Sequence, residues 1–202
     1  MRVGIFGYGL AARVFHAPLA KLAGFNIVAI QTGNPERIAQ ANSDFPNAAI
    51  CSSAEERLSH NLDLVIVASI NTAHEANAKA AIDAGVAVVV DKPMATTLAG
   101  TRELFNYAES KNVPITVFFN RLWDSDTLTI KDLLTNNPEL IGKPFRFDGR
   151  FERFRPDLNA QSWREQLTPQ QGGGLLLDLQ SHLISTAIDC FGPARLKYAN
   201  VN

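Results

Sequence analysis

The stretch that decides the fold stands at the start of the chain and reads Arg2-Val3-Gly4-Ile5-Phe6-Gly7-Tyr8-Gly9-Leu10-Ala11-Ala12. An apolar run leads into two glycines and a small third residue, the spacing of a dinucleotide-binding turn between a strand and a helix. Gly7 permits the tight turn, Gly9 lets the backbone approach a pyrophosphate, and Ala12 lets helix pack on strand. We expect the whole turn, Gly7, Tyr8, Gly9, Leu10, Ala11 and Ala12, to hold phosphates at the helix N-terminus. In the alternative interpretation, this is a glycine-rich turn that binds no ligand, because such a turn can have the same residue pattern.

Outward from this turn, apolar runs alternate with helical patterns through the first 120 residues. The runs occupy residues 2–6, 26–31, 62–68, 86–90 and 114–119, and unbroken apolar runs are typical of parallel strands covered on both faces. Helices are predicted after Asn34-Pro35, after a capping box at 53–56, over 73–84 and over 97–111. The alternation predicts an α/β fold, a Rossmann-type doubly wound parallel sheet over residues 1–120.

The pattern changes after residue 120. Helices are predicted over 126–134 and 176–190, and a polar loop over 155–171. Phe145, Phe147 and Phe151 recur at even spacing through residues 145–153, which predicts a strand with one face exposed to solvent. A further strand is predicted over 195–201. We therefore expect residues 121–202 to form a partial α+β domain with a mixed or antiparallel sheet.

Composition excludes several classes of protein. The 202 residues are 46% hydrophobic and 19% charged, with 19 basic and 20 acidic side chains and a net charge of −1, so no basic surface for nucleic acid or an anionic membrane is expected. No apolar run approaches the roughly 20 residues of a membrane span. Two cysteines, Cys51 and Cys190, make neither a disulfide framework nor a zinc site, and a reducing cytoplasm is the default expectation.

The end of the second strand bears on the choice of nucleotide. The sequence there reads Ile30-Gln31-Thr32-Gly33-Asn34-Pro35-Glu36-Arg37. No carboxylate stands at the strand end itself, where one would normally bind the ribose hydroxyls. Thr32, Asn34 and Arg37 could instead receive a 2′-phosphate, which favours NADP over NAD. In the alternative interpretation, Arg37 lies on a solvated helix face.

Further polar residues follow the later strands, at the edge where open α/β sheets bind ligands. Ser69, Asn71 and His74 follow run 62–68, and Asp91-Lys92-Pro93 follows run 86–90. Lys92 can donate a proton or hydrogen bond to a carbonyl oxygen, unless it is an ordinary surface lysine. His74 is expected to pack or cap beside the nucleotide.

A second candidate group follows Gly172-Gly173-Gly174. Asp178 and His182 are four residues apart, so they share one face of a helix, where a carboxylate can orient an imidazole. A structural helix pair is the alternative interpretation. His16 and His60 are predicted to be solvated or core histidines without a functional role.

These motifs together resemble the Gfo/Idh/MocA family of sugar and polyol oxidoreductases. The resemblance is carried in chain order by the glycine turn, Val14-Phe15-His16-Ala17-Pro18-Leu19, Asn71-Thr72-Ala73-His74, Asp91-Lys92-Pro93, Asn120-Arg121-Leu122-Trp123-Asp124, the stretch 172–182 and Phe191-Gly192-Pro193. It implies nicotinamide-dependent oxidation of a secondary alcohol on a sugar, sugar derivative or inositol. It also implies that Lys92, Asp178 and His182 are catalytic and that Asn120, with the residues already named, binds cofactor. Asp91 replaces the family's glutamate, Gln180 a glycine and Ser185 an aspartate.

The resemblance leaves other functions and an unfinished second domain open. An NAD-dependent glycosidase or a non-catalytic sugar-sensing regulator could share these motifs. Family members usually continue well beyond Phe191-Gly192-Pro193, so we expect an incomplete second domain in a chain that ends at Asn202. Such a chain should bind nucleotide, turn over substrate poorly and self-associate as a homo-oligomer.

Overall fold

The computed structural model describes residues 1–52, 56, 58–152, 154, 156–157 and 163–200. One six-stranded, wholly parallel sheet with the order β3-β2-β1-β4-β5-β6 organises the first 119 residues. The strands are β1 Arg2–Phe6, β2 Asn26–Gln31, β3 Ala49–Cys51, β4 Leu64–Val67, β5 Ala87–Asp91 and β6 Ile115–Phe118. The order runs outward from β1 in both directions, so the switch point lies between β1 and β4. The predicted doubly wound α/β fold is confirmed.

Helices cover both faces of this sheet. They are α1 Ala17–Leu22, α2 Pro35–Asp44, α3 His74–Asp83 and α4 Leu98–Ser110. Two of them begin at side-chain caps: the Asn34 side chain accepts from the Arg37 backbone N–H at 3.0 Å, and Thr97 Oγ1 accepts from Gly100 at 3.0 Å. Capping satisfies donors that a helix leaves unpaired at its start. The capping box predicted at 53–56 falls largely outside the described residues.

The core consists of two apolar layers, one on each face of the sheet. Val3, Ile5 and Ile30 belong to one layer, and Phe6, Val65 and Val90 belong to the other. Side chains alternate between the faces of a strand, and helices cover both faces here, which is why the strand sequences are apolar nearly throughout. The strand β3 was not predicted because its three residues are too few to produce a periodic pattern.

After β6 the described chain is helical or irregular. It contains α5 Ser125–Thr135, α6 Pro138–Ile141, α7 Trp163–Gln166 and α8 Ser181–Phe191, and a π turn at Leu176–Gln180 precedes α8. The loop predicted over 155–171 includes α7 and a 3₁₀ turn at Pro169–Gln171, so that prediction was wrong in part; residues 155 and 158–162 lie outside the described residues. Within the described part of the chain, no helix combines the length and apolarity that crossing a membrane requires.

Within the described residues, neither of the two strands predicted after residue 120 is formed. Described residues 145–152 and 195–200 show no strand pairing, and Phe145 is 97% exposed; residues 153 and 201 lie outside the described set. A strand needs a neighbour that accepts and donates its backbone hydrogen bonds. Alternating phenylalanines show which faces a strand would have, but they supply no partner, so the expected mixed sheet is absent from the described residues.

Candidate functional site

A cleft of about 310 Å³ opens where the carboxyl ends of the strands face α8. Its walls bring together segments that are far apart in sequence. The predicted site residues that line it are Gly9, Leu10, Ala11, Arg37, Ser69, Asn71, His74, Asp91, Lys92, Asn120, Asp178 and His182. Gly7, Tyr8, Ala12, Thr32, Asn34 and Pro93 lie outside this lining.

The two glycines of the first turn have different structural roles. A Cβ on Gly7 would lie 2.5 Å from the Ser69 Cα, and the φ of Gly7 is +96°, so only glycine lets this turn pack against the end of β4. A Cβ on Gly9 would meet nothing closer than the Arg37 guanidinium at 3.8 Å. The Gly9 backbone therefore faces the open cleft beside a cation, which fits a pyrophosphate.

The side chain of Tyr8 points away from the cleft. It is buried, and its hydroxyl donates to Asp44 Oδ2 at 2.8 Å. Burial, followed by the Asp44 hydrogen bond and charge, raises the pKa of Tyr8. The Tyr8 side chain is therefore not available to a cofactor in the cleft, and a contact through the Tyr8 backbone stays a prediction. Ala12 is fully buried, as close packing of helix on strand requires.

Arg37 lies at the cleft, whereas the other two residues predicted for the 2′-phosphate do not. Thr32 is buried, and the Asn34 side chain is engaged in capping α2. The Arg37 side chain is exposed and borders Gly9. No ion pair to a carboxylate is found for it within the described residues. Arg37 is therefore exposed on α2 and also lines the cleft, and its contact with a 2′-phosphate stays a prediction.

His74 and Asn71 connect the loops that form the cleft. The Nδ1 of His74 lies 2.7 Å from the Pro93 carbonyl oxygen, and its Nε2 lies 3.2 Å from that of Ser69. Burial lowers the pKa of His74 despite these two carbonyls, and a neutral imidazole donates to only one of them. Asn71 Nδ2 donates to the Gly172 carbonyl at 2.8 Å, across 101 positions of sequence.

Lys92 meets Asp178 across 86 positions of sequence. Its Nζ donates to the Asp178 backbone carbonyl at 2.5 Å and lies 3.4 Å from Asp178 Oδ1. The two side chains are 14% and 22% exposed. Lys92 is therefore a partly buried cation held at the cleft wall, and the interpretation of an ordinary surface lysine is wrong.

His182 lies beside this pair as a neutral base. It is 7% exposed, and its Nδ1 has no hydrogen-bond partner among the described residues. Burial lowers its pKa to about 4, and the charges of Lys92 and Arg121 add to the effect. Near pH 7 the ring is uncharged and can accept a proton or a hydrogen bond.

Two further residues support His182, although the sequence assigned them no role. The Phe151 ring stacks on the His182 ring, with a centroid separation of 6.5 Å and an angle of 25°. The Arg121 guanidinium lies 5.1 Å from the centroid of Phe151 and is paired with Asp124 at 2.8 Å. Arg121 directly follows the predicted Asn120, and that position at a strand end was the available signal. Nothing local indicated Phe151.

Two family models match nearly the whole chain. Residues 1–119 match the oxidoreductase family with an NAD-binding Rossmann fold, and residues 127–202 match the GFO/IDH/MocA C-terminal domain. The chain belongs to the Gfo/Idh/MocA oxidoreductase family. The resemblance on which the site residues were predicted is thereby confirmed, although their individual roles are not tested.

Similar members of this family are oxidoreductases. The chain is 40% identical to the oxidoreductase YdgJ of Escherichia coli K12, covering 95% of this chain and 54% of the relative. It is 36% identical to the scyllo-inositol 2-dehydrogenase (NADP⁺) IolW of Bacillus subtilis, covering 100% and 54%. The structure of the oxidoreductase YvaA of Bacillus subtilis superposes with a TM-score of 0.82 at 34% identity, covering 95% and 53%. The chain spans about half the length of the curated relatives it matches.

Within the described residues, no group of three or more histidine, cysteine, aspartate or glutamate side chains could hold a metal ion.

Proposed function

We propose that the protein catalyses hydride transfer between NAD(P) and a secondary alcohol of a sugar, sugar derivative or inositol. The observation that carries this proposal is the position of Lys92 and His182 in the same cleft as the Gly9 turn. A cation and a neutral base beside a dinucleotide-binding turn are the groups that alcohol oxidation needs. We further propose that residues 1–120 form the nucleotide-binding domain and that residues 121–202 belong to a substrate domain.

The cofactor would lie along the first turn. The open backbone of Gly9 would receive the pyrophosphate, and Arg37 would receive a 2′-phosphate, so we favour NADP over NAD. The name of IolW, an NADP-dependent enzyme, supports the same choice. When bound, the nicotinamide supplies or accepts the hydride.

The catalytic residues would move the hydroxyl proton. The Asp178 carbonyl holds Lys92 Nζ in place, so the ammonium can stabilise negative charge on the substrate oxygen. His182, which lines the cleft and is uncharged near pH 7, would accept the proton released from the hydroxyl and return it in the reverse direction. Asp178 would orient this pair through its backbone oxygen and carboxylate.

The substrate class is supported by relatives rather than by the cleft itself. IolW is named a scyllo-inositol dehydrogenase, and a Shouchella clausii relative, 33% identical over 149 residues, is named an inositol 2-dehydrogenase/D-chiro-inositol 3-dehydrogenase. We therefore propose a cyclic polyol or sugar and place inositols first among the candidates.

The proposal is tested by screening inositols and sugars with NADP⁺ and NAD⁺ while following the absorbance of reduced nicotinamide. Lys92→Met and His182→Ala should each lower turnover by at least about two orders of magnitude, because the first removes the cation that stabilises the substrate oxygen and the second removes the proton acceptor, while nucleotide affinity stays nearly unchanged. Lys79→Met is the matched control, because Lys79 is exposed on α3, where it is paired with Asp83 and lies outside the cleft lining. Near-normal turnover in the Lys92 or His182 variant removes that residue from the mechanism.

The same assay separates the alternatives. Hydrolysis of a glycoside without net reduced nicotinamide would indicate a glycosidase. Nucleotide and sugar binding without turnover in the longest available form of the protein would indicate a regulator.

A further inference from the structure

His16 is a buried polar residue behind the Lys92 turn. It ends a π turn, Ala12–His16, in which Ala12 and His16 are buried and residues 13–15 are exposed. The His16 ring packs on Phe118 at the end of β6, with ring centroids 4.4 Å apart. Single π turns occur frequently at functional sites, and this one directs an imidazole towards the carboxyl ends of the strands.

The imidazole nitrogen of His16 faces the Asp91 carboxylate. Its Nε2 has no hydrogen-bond partner among the described residues and lies 3.6 Å from Asp91 Oδ2. The separation exceeds a normal hydrogen bond by roughly half an ångström. Because His16 is only 3% exposed, and buried polar atoms are almost always paired, Asp91 is the partner that this geometry offers.

Asp91 in turn holds the residue that carries the catalytic cation. Its Oδ1 accepts from the Lys92 backbone N–H at 2.8 Å. A continuous series of contacts therefore runs from His16 through Asp91 to Lys92 and on to Asp178. Any rotation of the Asp91 carboxylate would shift the backbone from which the Lys92 side chain extends.

We propose that His16 is a positioning residue whose Nε2–H donates to Asp91 and so fixes the turn that aims Lys92 at the cleft. The role of Lys92 in this inference rests on the proposed function, whereas the contact between His16 and Asp91 does not. Misplacement of a reacting group by about an ångström can cost up to a hundredfold in rate. A residue that sets the position of Lys92 therefore affects turnover without touching substrate.

Two variants separate positioning from packing. His16→Phe keeps a ring against Phe118 but has no donor, and His16→Gln has no ring but keeps a donor near the position of Nε2. Positioning predicts that His16→Phe lowers kcat roughly tenfold, with nucleotide Kd unchanged and the chain still folded, and that His16→Gln recovers most of the rate. The opposite order, with Phe more active than Gln, overturns the proposal. His60→Phe is the control, because His60 lies beside Cys51 at the end of β3.

A second measurement does not depend on activity. Long-range ¹H–¹⁵N NMR spectra of the histidine rings should show a proton on Nε2 of His16 in the parent chain, and Asp91→Ala should remove that preference. A proton found only on Nδ1 overturns the proposal. If no polyol is turned over by the parent, the proposed function fails, and the tautomer of His16 still decides whether it donates to Asp91.

Discussion

His182 should make the free energy of unfolding of the protein depend on pH in the acid range. Its pKa is about 4 in the folded chain and 6.5 when unperturbed. Between these values the unfolded chain binds a proton that the folded chain does not, so the free energy of unfolding falls as the pH falls from 6.5 towards 4. Above pH 6.5, His182 does not make the free energy of unfolding depend on pH. Each unit of difference corresponds to about 1.4 kcal/mol, so the total loss is of the order of 3 kcal/mol.

Urea unfolding of the parent and of His182→Gln at about pH 7 and about pH 5 checks this expectation. The parent should lose more stability between the two values than the variant, because glutamine does not titrate. The pKa of the buried His74 is also lowered. Its contribution to the loss of stability is the same in both proteins and cancels when the parent and the variant are compared. Equal losses in the two proteins would show that His182 is not held neutral by the fold.

The first turn of α2 should determine the choice between the two nucleotides. Arg37 borders Gly9, so Arg37→Ala should weaken NADPH binding by about tenfold or more, as expected for loss of a charge-assisted contact. NADH binding should change little. Fluorescence titration of each nucleotide measures both effects, with Arg102→Ala on α4 as a control. Tighter binding of NADH than NADPH by the parent would contradict the NADP assignment and leave the fold unaffected.

The segment before α8 should tolerate no side chain at Gly172. A Cβ there would lie 2.8 Å from Thr96 Cγ2 and 2.9 Å from Asn71 Cβ, at a φ of +86°. Gly85 has a similar φ of +72° but nothing within 4 Å, so Gly85→Ala carries the backbone strain alone, about 1 kcal/mol. Gly172→Ala should destabilise the chain by clearly more than Gly85→Ala.

Urea unfolding compares these two variants, and activity adds a second readout. The Gly172 variant should also lose turnover, because displacement of the Asn71–Gly172 contact shifts Asp178 relative to Lys92. Equal destabilisation by the two substitutions would show that the Gly172 segment moves aside without cost.

The molecule as a whole presents apolar side chains around α8. Ile184, Ile188 and Phe191 are each close to half exposed, and Leu196 is 78% exposed. Apolar surface of this kind favours association between proteins, so the 202-residue chain should self-associate as its concentration rises. Ile188→Lys should weaken association, whereas Leu22→Lys on α1 should not. Sedimentation velocity over a range of concentrations measures this, and a single monomeric species throughout would contradict it.

Local signals were sufficient for five of the six strands of the sheet and for the helices that begin at Asn34 and Thr97, but not for β3. The Gly7 turn, the caps at Asn34 and Thr97 and the apolar runs each depend on residues within one or two turns of the chain. Such interactions are present in any context, so they predicted the element boundaries to within a few residues and the fold class without further information. The Gly9 and Lys92 positions followed, because parallel strands bring their carboxyl ends to one edge.

Contacts between segments that are distant in sequence decided how the groups of the candidate site are arranged. The bond from Lys92 to Asp178, the stacking of Phe151 on His182 and the approach of His16 to Asp91 join residues separated by tens of positions, and their geometry depends on which elements the topology makes neighbours. The same reasoning explains why the described residues 145–152 form no strand: their alternation is a property of one segment, whereas strand formation requires a partner elsewhere. The sequence by itself therefore determined which chemical groups the protein carries and the sheet that supports them. Tertiary packing determined which of those groups come into contact, because contact depends on distance in space and not on position along the chain.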